Sequence, residues 1–449
     1  MSFNDSNNSI ITSSNLKHFD IYQTVDNKQI TKTCVTSYKI GLLEECQFYR
    51  DLTHLKTYTI DDIDTIEVDD AISIERNEDS LKVWVHISSP SLFIELNDPL
   101  DQIARRNAAT IYLGEETVTM FPSNIIDELL TIKANKSNFC LSCCVELNID
   151  GSIASSEVYI SKICNNYKLT YEDADELIEL APKEEEDLSL LHILLDKRRR
   201  WRLNNGSLSI EGIEGRVKLL NNKLSISFYE KTPSRVLIEE AMLLMGHVIS
   251  LYSIDHNINI PFRCQDSSTI PTLDYNLHYS LRNNLLRKSL CRSYISQIPS
   301  IHFSLGLSCY VQCTSPIRRY IDLLTHYQIT NKILKKDLIS RELMDQLICS
   351  FKSNQIQVNE KMKDNKTKWL ANYLLINKAE IIQCYFLRWL SYKRSSALVF
   401  VINYSFEFVF CIHTNSNINF GDKITLKILN SGEDEEHSKI FVQALMLGT

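Results

Sequence analysis

With 449 residues, 44% of them hydrophobic, the chain is long enough for a large catalytic domain plus one small module. Its formal net charge of −8 excludes attraction of a polyanion by the molecule as a whole, so any nucleic-acid contact needs locally focused positive charge. The 13 cysteines, an odd number without paired CxxC spacing, argue against a zinc ribbon and for a reducing compartment.

Residues 1–45 are rich in Asn and Ser, with a polar start that reads as neither a signal peptide nor an Arg-rich transit sequence. No apolar run long enough to span a bilayer follows. From 46 to 160 the pattern is strands joined by turns: a β-biased lead-in at 56–60, a second β-biased run from Ala71, and an alternating run at 81–87 after a turn at 77–80. Asp98 and Pro99 cap a short helix. Cys140, Cys143 and Cys144 lie in an alternating strand, so buried free thiols are expected there rather than zinc ligands. Helices are expected at 171–180, 188–202 and 233–254, with strands around 208–228 between the last two, and helices dominate 273–297 and 315–380. Beyond about 386 the pattern returns to strands, at 397–402, 406–412 and 423–428, with a turn at Gly421 and Asp422.

Two segments carry chemistry. Between Thr59 and Ser73, Asp61, Glu67, Asp69 and Asp70 crowd beside Asp62 and Asp64. A solvated acidic loop is the ordinary meaning of such a run. Against it, Ile60, Ile63, Ile66, Val68 and Ile72 alternate with the acids, as in a partly buried segment. No glycine interrupts the run, which disfavours an EF-hand calcium loop. Hard oxygen donors this dense suit Mg²⁺ or Mn²⁺ in phosphoryl transfer. The second segment reads Thr314-Ser315-Pro316-Ile317-Arg318-Arg319-Tyr320. Thr314 or Ser315 is a natural N-cap and Pro316 suits the first helical position. Arg318 and Arg319 in a first turn oppose the helix dipole, which makes sense if an anion binds there. An Arg318–Asp322 pair is the plainer alternative.

Together the two segments resemble the ribonuclease II (RNB) family of exoribonucleases, over residues 50–330 and more weakly beyond. Val85-His86-Ile87, the stretch 100–122 with Arg106 and Tyr112, and the stretch 237–244 also look like family blocks, and the lead-in 50–55 looks most like the cyanobacterial and plastid branch. The resemblance implies an α+β fold: an RNB-type catalytic domain, a mixed sheet with surrounding helices, over 46–380, then a small C-terminal OB-like β-barrel over 381–449. It leaves 1–45 too short for the family's cold-shock barrels. It implies processive 3′→5′ hydrolysis of single-stranded RNA to nucleoside 5′-monophosphates with Mg²⁺, Mn²⁺ being the alternative metal. Asp61, Glu67, Asp69 and Asp70 match the family's acidic, metal-binding positions, and Arg318 matches the arginine that grips the phosphate. Tyr112 and Tyr171 match RNA-contacting tyrosines, and Glu239 a glutamate beside the terminal nucleotide. Ser315 and Arg319 complete the expected RNA contacts, and the basic run 197–202 is a further one. A monomer is expected, with no membrane and no small-molecule cofactor. The branch, with an Asn- and Ile-rich composition, points to the plastid stroma, with bacterial cytoplasm as the alternative.

The chain departs from the family pattern in places. Glu67 stands for the usual Asp, Ser89 for an Asp, Gly246 for an Asn, Ile210 for an aromatic that clamps the terminal base, and Tyr327 for an Arg. These departures keep open a second reading, a catalytically weakened or inactive RNA-binding protein on the same scaffold.

Overall fold

The computed structural model describes residues 48–445 except 79, 114–116, 211, 221–222, 377–380, 392–394, 414–416 and 435–436. The expectation for 1–45, Asp79 of the expected turn and the last four residues of the expected barrel lie outside the described residues.

Alternation with period two builds the central sheet. In chain order the strands are β1 (Arg50–Asp51), β2 (Thr57–Asp61), β3 (Asp70–Arg76) and β4 (Leu81–Ser88). A small hairpin, β5 (Ile111–Tyr112) with β6 (Thr117–Val118), is followed by β7 (Ser137–Leu147), β8 (Ile153–Cys164) and β9 (Tyr167–Thr170). The seven-stranded order is β1-β8-β7-β4-β3-β2-β9, parallel at its two ends and antiparallel between. Ile60, Ile72, Val85, Ile87 and Cys143 turn one face into the largest core, while Ala71, Trp84, Cys140 and Cys144 pack on the other. The three neighbouring thiols are therefore divided between two faces, buried and free.

The helices are α1 (Pro99–Asn107), α2 (Tyr171–Leu180), α3 (Glu186–Asn204), α4 (Pro233–Asp255), α5 (Tyr279–Ser289), α6 (Tyr320–Ile333) and α7 (Arg341–Ile376). A reciprocal cap fixes the start of α2: Thr170 Oγ1 accepts from the Asp173 N–H, and the Asp173 carboxylate accepts from the Thr170 N–H. By length and composition α4 could cross a membrane. Here it buries Leu237, Ala241, Leu244, Met245 and Val248 against the sheet. Two hairpin-like pairs follow from β10 (Glu214–Leu220) with β11 (Lys223–Tyr229), and β12 (Phe262–Cys264) with β13 (Tyr294–Ser296). The chain then closes a barrel, order β14-β15-β16-β18-β17, from β14 (Ile381–Trp389), β15 (Ala397–Val401), β16 (Phe406–His413), β17 (Lys423–Asp434) and β18 (His437–Leu445). Phe406, Phe408 and Phe410 fill that barrel, so these aromatics are core.

The basic run 197–202 is not an RNA-facing stripe. Arg198 and Arg202 continue the buried face of α3 begun by Leu188, Leu191 and Leu195. Arg202 grips Glu240 of α4 with Nε and Nη2, at 2.7 and 2.6 Å, and donates to Ser207 and the Leu305 carbonyl. Arg198 lies 4.0 Å over the Trp201 ring, and its Nη2 is 2.8 Å from His247 Nδ1. Arg199 and Arg200 pair with Asp196 on the surface. Breaking the Arg202–Glu240 pair strands a buried charge, so Arg202→Met should cost about 3–5 kcal/mol in denaturant unfolding, against at most about 0.5 kcal/mol for exposed Lys197→Ala. Equal small effects would show that the pair carries no load.

Burial, with the charges of Arg198 and Arg202, pulls His247 down to about 4. Its folded value lies below its unfolded one, so its contribution to stability is lost as pH falls from about 6.5 toward 4. His247→Asn keeps an acceptor for Arg198 but cannot titrate. It should flatten the stability slope in that window by up to one proton's worth, about 1.4 kcal/mol per pH unit. An unchanged slope would contradict the assignment.

Candidate active site

β2 ends in Asp61 and β3 begins at Asp70, so the sheet itself brings the two ends of the acidic run together. The connection is fastened along its second half. Val68 donates to Thr131 Oγ1 and accepts from the Ile132 N–H, and the Asp69 carbonyl accepts from the Ser88 N–H. Glu67, Val68 and Asp69 are buried in consequence. Ile63 and Ile66, expected to face inward, are instead 86% and 65% exposed, because the turn at Asp62–Thr65 lifts them off the sheet.

The four acids fall into two kinds. Both oxygens of Asp69 are taken: Oδ1 accepts from the Ile317 N–H at 3.1 Å and Oδ2 from Arg318 Nε at 3.0 Å. Both oxygens of Glu67 are taken too, Oε1 by Thr110 Oγ1 at 2.9 Å and Oε2 by the Tyr112 hydroxyl at 3.0 Å. Asp61 and Asp70 differ: among the described residues neither carboxylate accepts a hydrogen bond or closes an ion pair. Burial pushes Asp61 up to about 6, with Arg318 and Lys168 opposing. Asp70 is driven well above the usual carboxylate range by burial and then by the charges of Asp61 and Asp69. Asp69 is raised to about 7 by burial, against Arg318 and the Ile317 N–H. Among the described residues no three carboxylate, imidazole or thiol side chains converge as a metal-binding group, so the four-acid set expected from the sequence is divided. Two adjacent, half-buried carboxylates without a protein partner are nonetheless the donor set that a hard divalent cation fits, since a cation there relieves the repulsion.

Across from them lies the Thr-Ser-Pro segment. It is a turn rather than a helix start: α6 begins at Tyr320, with Arg319 as its N-cap. The Ser315 carbonyl accepts from the N–H groups of Arg318 and Arg319, while Ile317 gives its N–H to Asp69, a partner from the far end of the chain. Arg318 and Arg319 are then separated in duty. Arg318 pairs with Asp69, not with Asp322. Arg319 grips Asp322, which also accepts from the Ser315 N–H. This segment pairs with the chain just before β5. Thr110 N–H donates to the Arg318 carbonyl and Tyr320 N–H to the Ala108 carbonyl. The partners of Glu67 and of Asp69 are thereby held on adjoining backbone.

A cavity of about 300 Å³ opens between these parts, lined by Asp61, Asp70, Arg318, Tyr171 and Glu239 among others. Ser315 and Arg319 line it as well, the first buried and the second engaged with Asp322. Arg235 covers one face of Tyr171 at 3.9 Å while its Nη2 holds Asp62 at 2.7 Å. Glu239 pairs with Lys231 and stays half-exposed. Tyr112 is not in this lining, and neither is Glu67, which accepts its hydroxyl. Thr110, Arg235 and Tyr310 went unread in the sequence. Asp322 was read as a partner for Arg318, and the structure gives it to Arg319 instead.

The RNB domain model matches residues 49–335. The chain belongs to the RNB family. An uncharacterized ribonuclease of Synechocystis is 32% identical over 387 residues, covering 85% of this chain and 58% of that protein. The chloroplastic/mitochondrial ribonuclease II of Arabidopsis thaliana is 34% identical over 62% of this chain and 36% of its own length. The chain thus spans about half the length of the curated relatives it matches. Among solved structures, Mycoplasma genitalium RNase R in complex with ribose-methylated single-stranded RNA aligns with a TM-score of 0.80 at 17% identity, over 94% of this chain and 75% of that one. Yeast Ssd1, titled a pseudonuclease, aligns with a TM-score of 0.65 at 16% identity, over 87% of this chain and 54% of that one. The same fold thus occurs in an RNase R and in a pseudonuclease.

Two of the departures from the RNB pattern have a physical setting. A Cβ at Gly246 would lie 2.4 Å from the Tyr310 ring and 2.5 Å from the Val311 carbonyl, so α4 meets that segment too closely for the usual Asn. Ile210 is exposed and offers no ring. The unpartnered Asp61–Asp70 pair predicts a stability signature. In EDTA at pH 8, Asp61→Asn should raise the melting temperature by removing a charged neighbour of Asp70. Because the folded value of Asp61 is raised, to about 6, the gain should fade as pH falls through 6 and the wild-type carboxyl protonates. A melting temperature lowered at pH 8 would mean that the pair is held by something other than repulsion relieved by a cation.

Proposed function

We propose that this RNB protein is a Mg²⁺-dependent exoribonuclease that hydrolyses single-stranded RNA from its 3′ end to nucleoside 5′-monophosphates. One observation carries the reading: a half-buried pair of carboxylates without a protein partner, Asp61 and Asp70, shares a cavity with a guanidinium that a third carboxylate holds in place. Relatives named ribonuclease II and exoribonuclease 2 support the reaction class. The likeness to a chloroplastic relative supports a plastid setting.

Asp61 and Asp70 would hold the cation, which supplies Lewis-acid stabilisation of charge on the phosphate and a more acidic water. Arg318, fixed by Asp69, presents its remaining N–H groups to the non-bridging phosphate oxygens, where charge grows in the transition state. Asp69 is a positioning residue in this scheme, since both its oxygens are spent. Tyr171, with Arg235 on one face, offers its other face to a base, and Glu239 sits where a terminal ribose could be met. Stacking and phosphate contacts read no base code, so the substrate would be chosen by strandedness rather than by sequence.

The second reading, an RNA-binding protein without catalysis, draws on the departures from the family pattern, Glu67 and Ile210 above all. Incubation with end-labelled single-stranded RNA in Mg²⁺, Mn²⁺ or EDTA separates the two. Metal-dependent release of mononucleotides is expected, whereas binding without shortening would overturn the proposal. Arg318→Met should slow cleavage by about 10²–10³. Asp69→Asn should abolish cleavage while RNA affinity persists; loss of both together would make Asp69 purely structural.

A further inference from the structure

Glu67 occupies a position that the family resemblance reserves for a metal ligand, yet its surroundings spend it elsewhere. Thr110 Oγ1 accepts from the Met120 N–H at 3.0 Å, so its single proton is left for Glu67 Oε1 at 2.9 Å. The other oxygen, Oε2, takes the Tyr112 hydroxyl at 3.0 Å. The carboxylate is buried, and each of its oxygens has a directed O–H donor. Glu67 does not line the cavity shared by Asp61 and Asp70. The backbone enforces the separation, because Val68 is pinned to Thr131 and Ile132 while 108–110 is pinned to 318–320. An aspartate, one methylene shorter, would fall about 1.5 Å short of one of these two partners.

We infer that Glu67 is a positioning residue for Tyr112, latching that ring for contact with RNA, and not a ligand of the metal. The inference deepens the exoribonuclease reading and rests on it for the RNA that Tyr112 meets. It also gives the Glu-for-Asp change a role: a half-exposed tyrosine without an opposing aromatic at Ile210 is held by its hydroxyl instead. Fixing the ring before RNA arrives removes an ordering cost from binding.

The test uses the full chain with one 3-fluorotyrosine at position 112, followed by ¹⁹F NMR, and Mn²⁺ binding followed by electron paramagnetic resonance. Glutamine can accept only one of the two O–H donors, so Glu67→Gln should shift the ¹⁹F resonance. Saturating Mg²⁺ should leave the wild-type resonance in place. Mn²⁺ affinity should stay within about twofold of wild type in Glu67→Gln, and fall at least about tenfold in Asp70→Asn. RNA affinity in EDTA should drop about threefold to tenfold in Glu67→Gln and equally in Tyr112→Phe, with no further loss in the double variant. The half-exposed phenylalanine variant guards against misfolding of the buried glutamine one. Mg²⁺ moving the wild-type resonance to the Glu67→Gln position, or Glu67→Gln losing Mn²⁺ as Asp70→Asn does, would overturn the latch. Wild-type protein that binds no Mn²⁺ would count against the proposed function instead, and the ¹⁹F shift would still decide the latch.

Discussion

The bond between Asp69 and Arg318 joins residues 249 positions apart, and the arrangement of the cavity depends on it. Asp69 is 2% exposed at the threshold of β3, where a lone carboxylate would be costly. Arg318 and the Ile317 N–H satisfy it, and in doing so they bend the Thr-Ser-Pro segment into a turn. That turn hydrogen-bonds to the chain leading into β5, which carries Thr110 and Tyr112 to Glu67. Three remote segments are thus tied through one partly buried ion pair. The two carboxylates left over, Asp61 and Asp70, are left facing each other across the cavity's acidic wall.

Several arginines of this molecule are spent internally. With a net charge of −8 the chain needs local cations to meet a phosphate, yet Arg198 and Arg202 brace α3 against α4 and Arg319 braces the start of α6. Arg287 bonds Glu407 of the barrel. Arg318 lines the cavity beside Asp61 and Asp70, with Asp69 holding its Nε. Under the proposed function a cation bound by the two carboxylates would relieve their repulsion, and metal and phosphate binding would be coupled.

Local signals were legible where local physics decides. Helical spacing put α2 at 171–180, as observed, and the alternation of 81–87 and of the run around Cys140–Cys144 marked two strands of the sheet. The barrel strands near 397–412 and 423–428 stood out by the same period. Misreadings arose where a distant partner outcompeted a local one. Pro316 has every mark of a first helical residue, but Asp69 claims the Ile317 N–H and delays α6 to Tyr320. The run 197–202 looked like a charged face, although Leu188, Leu191, Leu195, Arg198 and Arg202 share one helical stripe, a spacing that marks the arginines as inward. The division of the four acids could not be read from the chain at all. Equal spacing of carboxylates says nothing of which ones will find Thr110, Tyr112 or Arg318.

Under the proposed function Asp61 and Asp70 would hold a cation while Glu67 and Asp69 keep their protein partners. Anomalous diffraction from crystals soaked in Mn²⁺ locates the ion without reference to activity. One peak beside Asp61 and Asp70 is expected, with Arg318 still on Asp69. A peak enclosed by Glu67 and Asp69, or none near Asp70 at saturating metal, would contradict it.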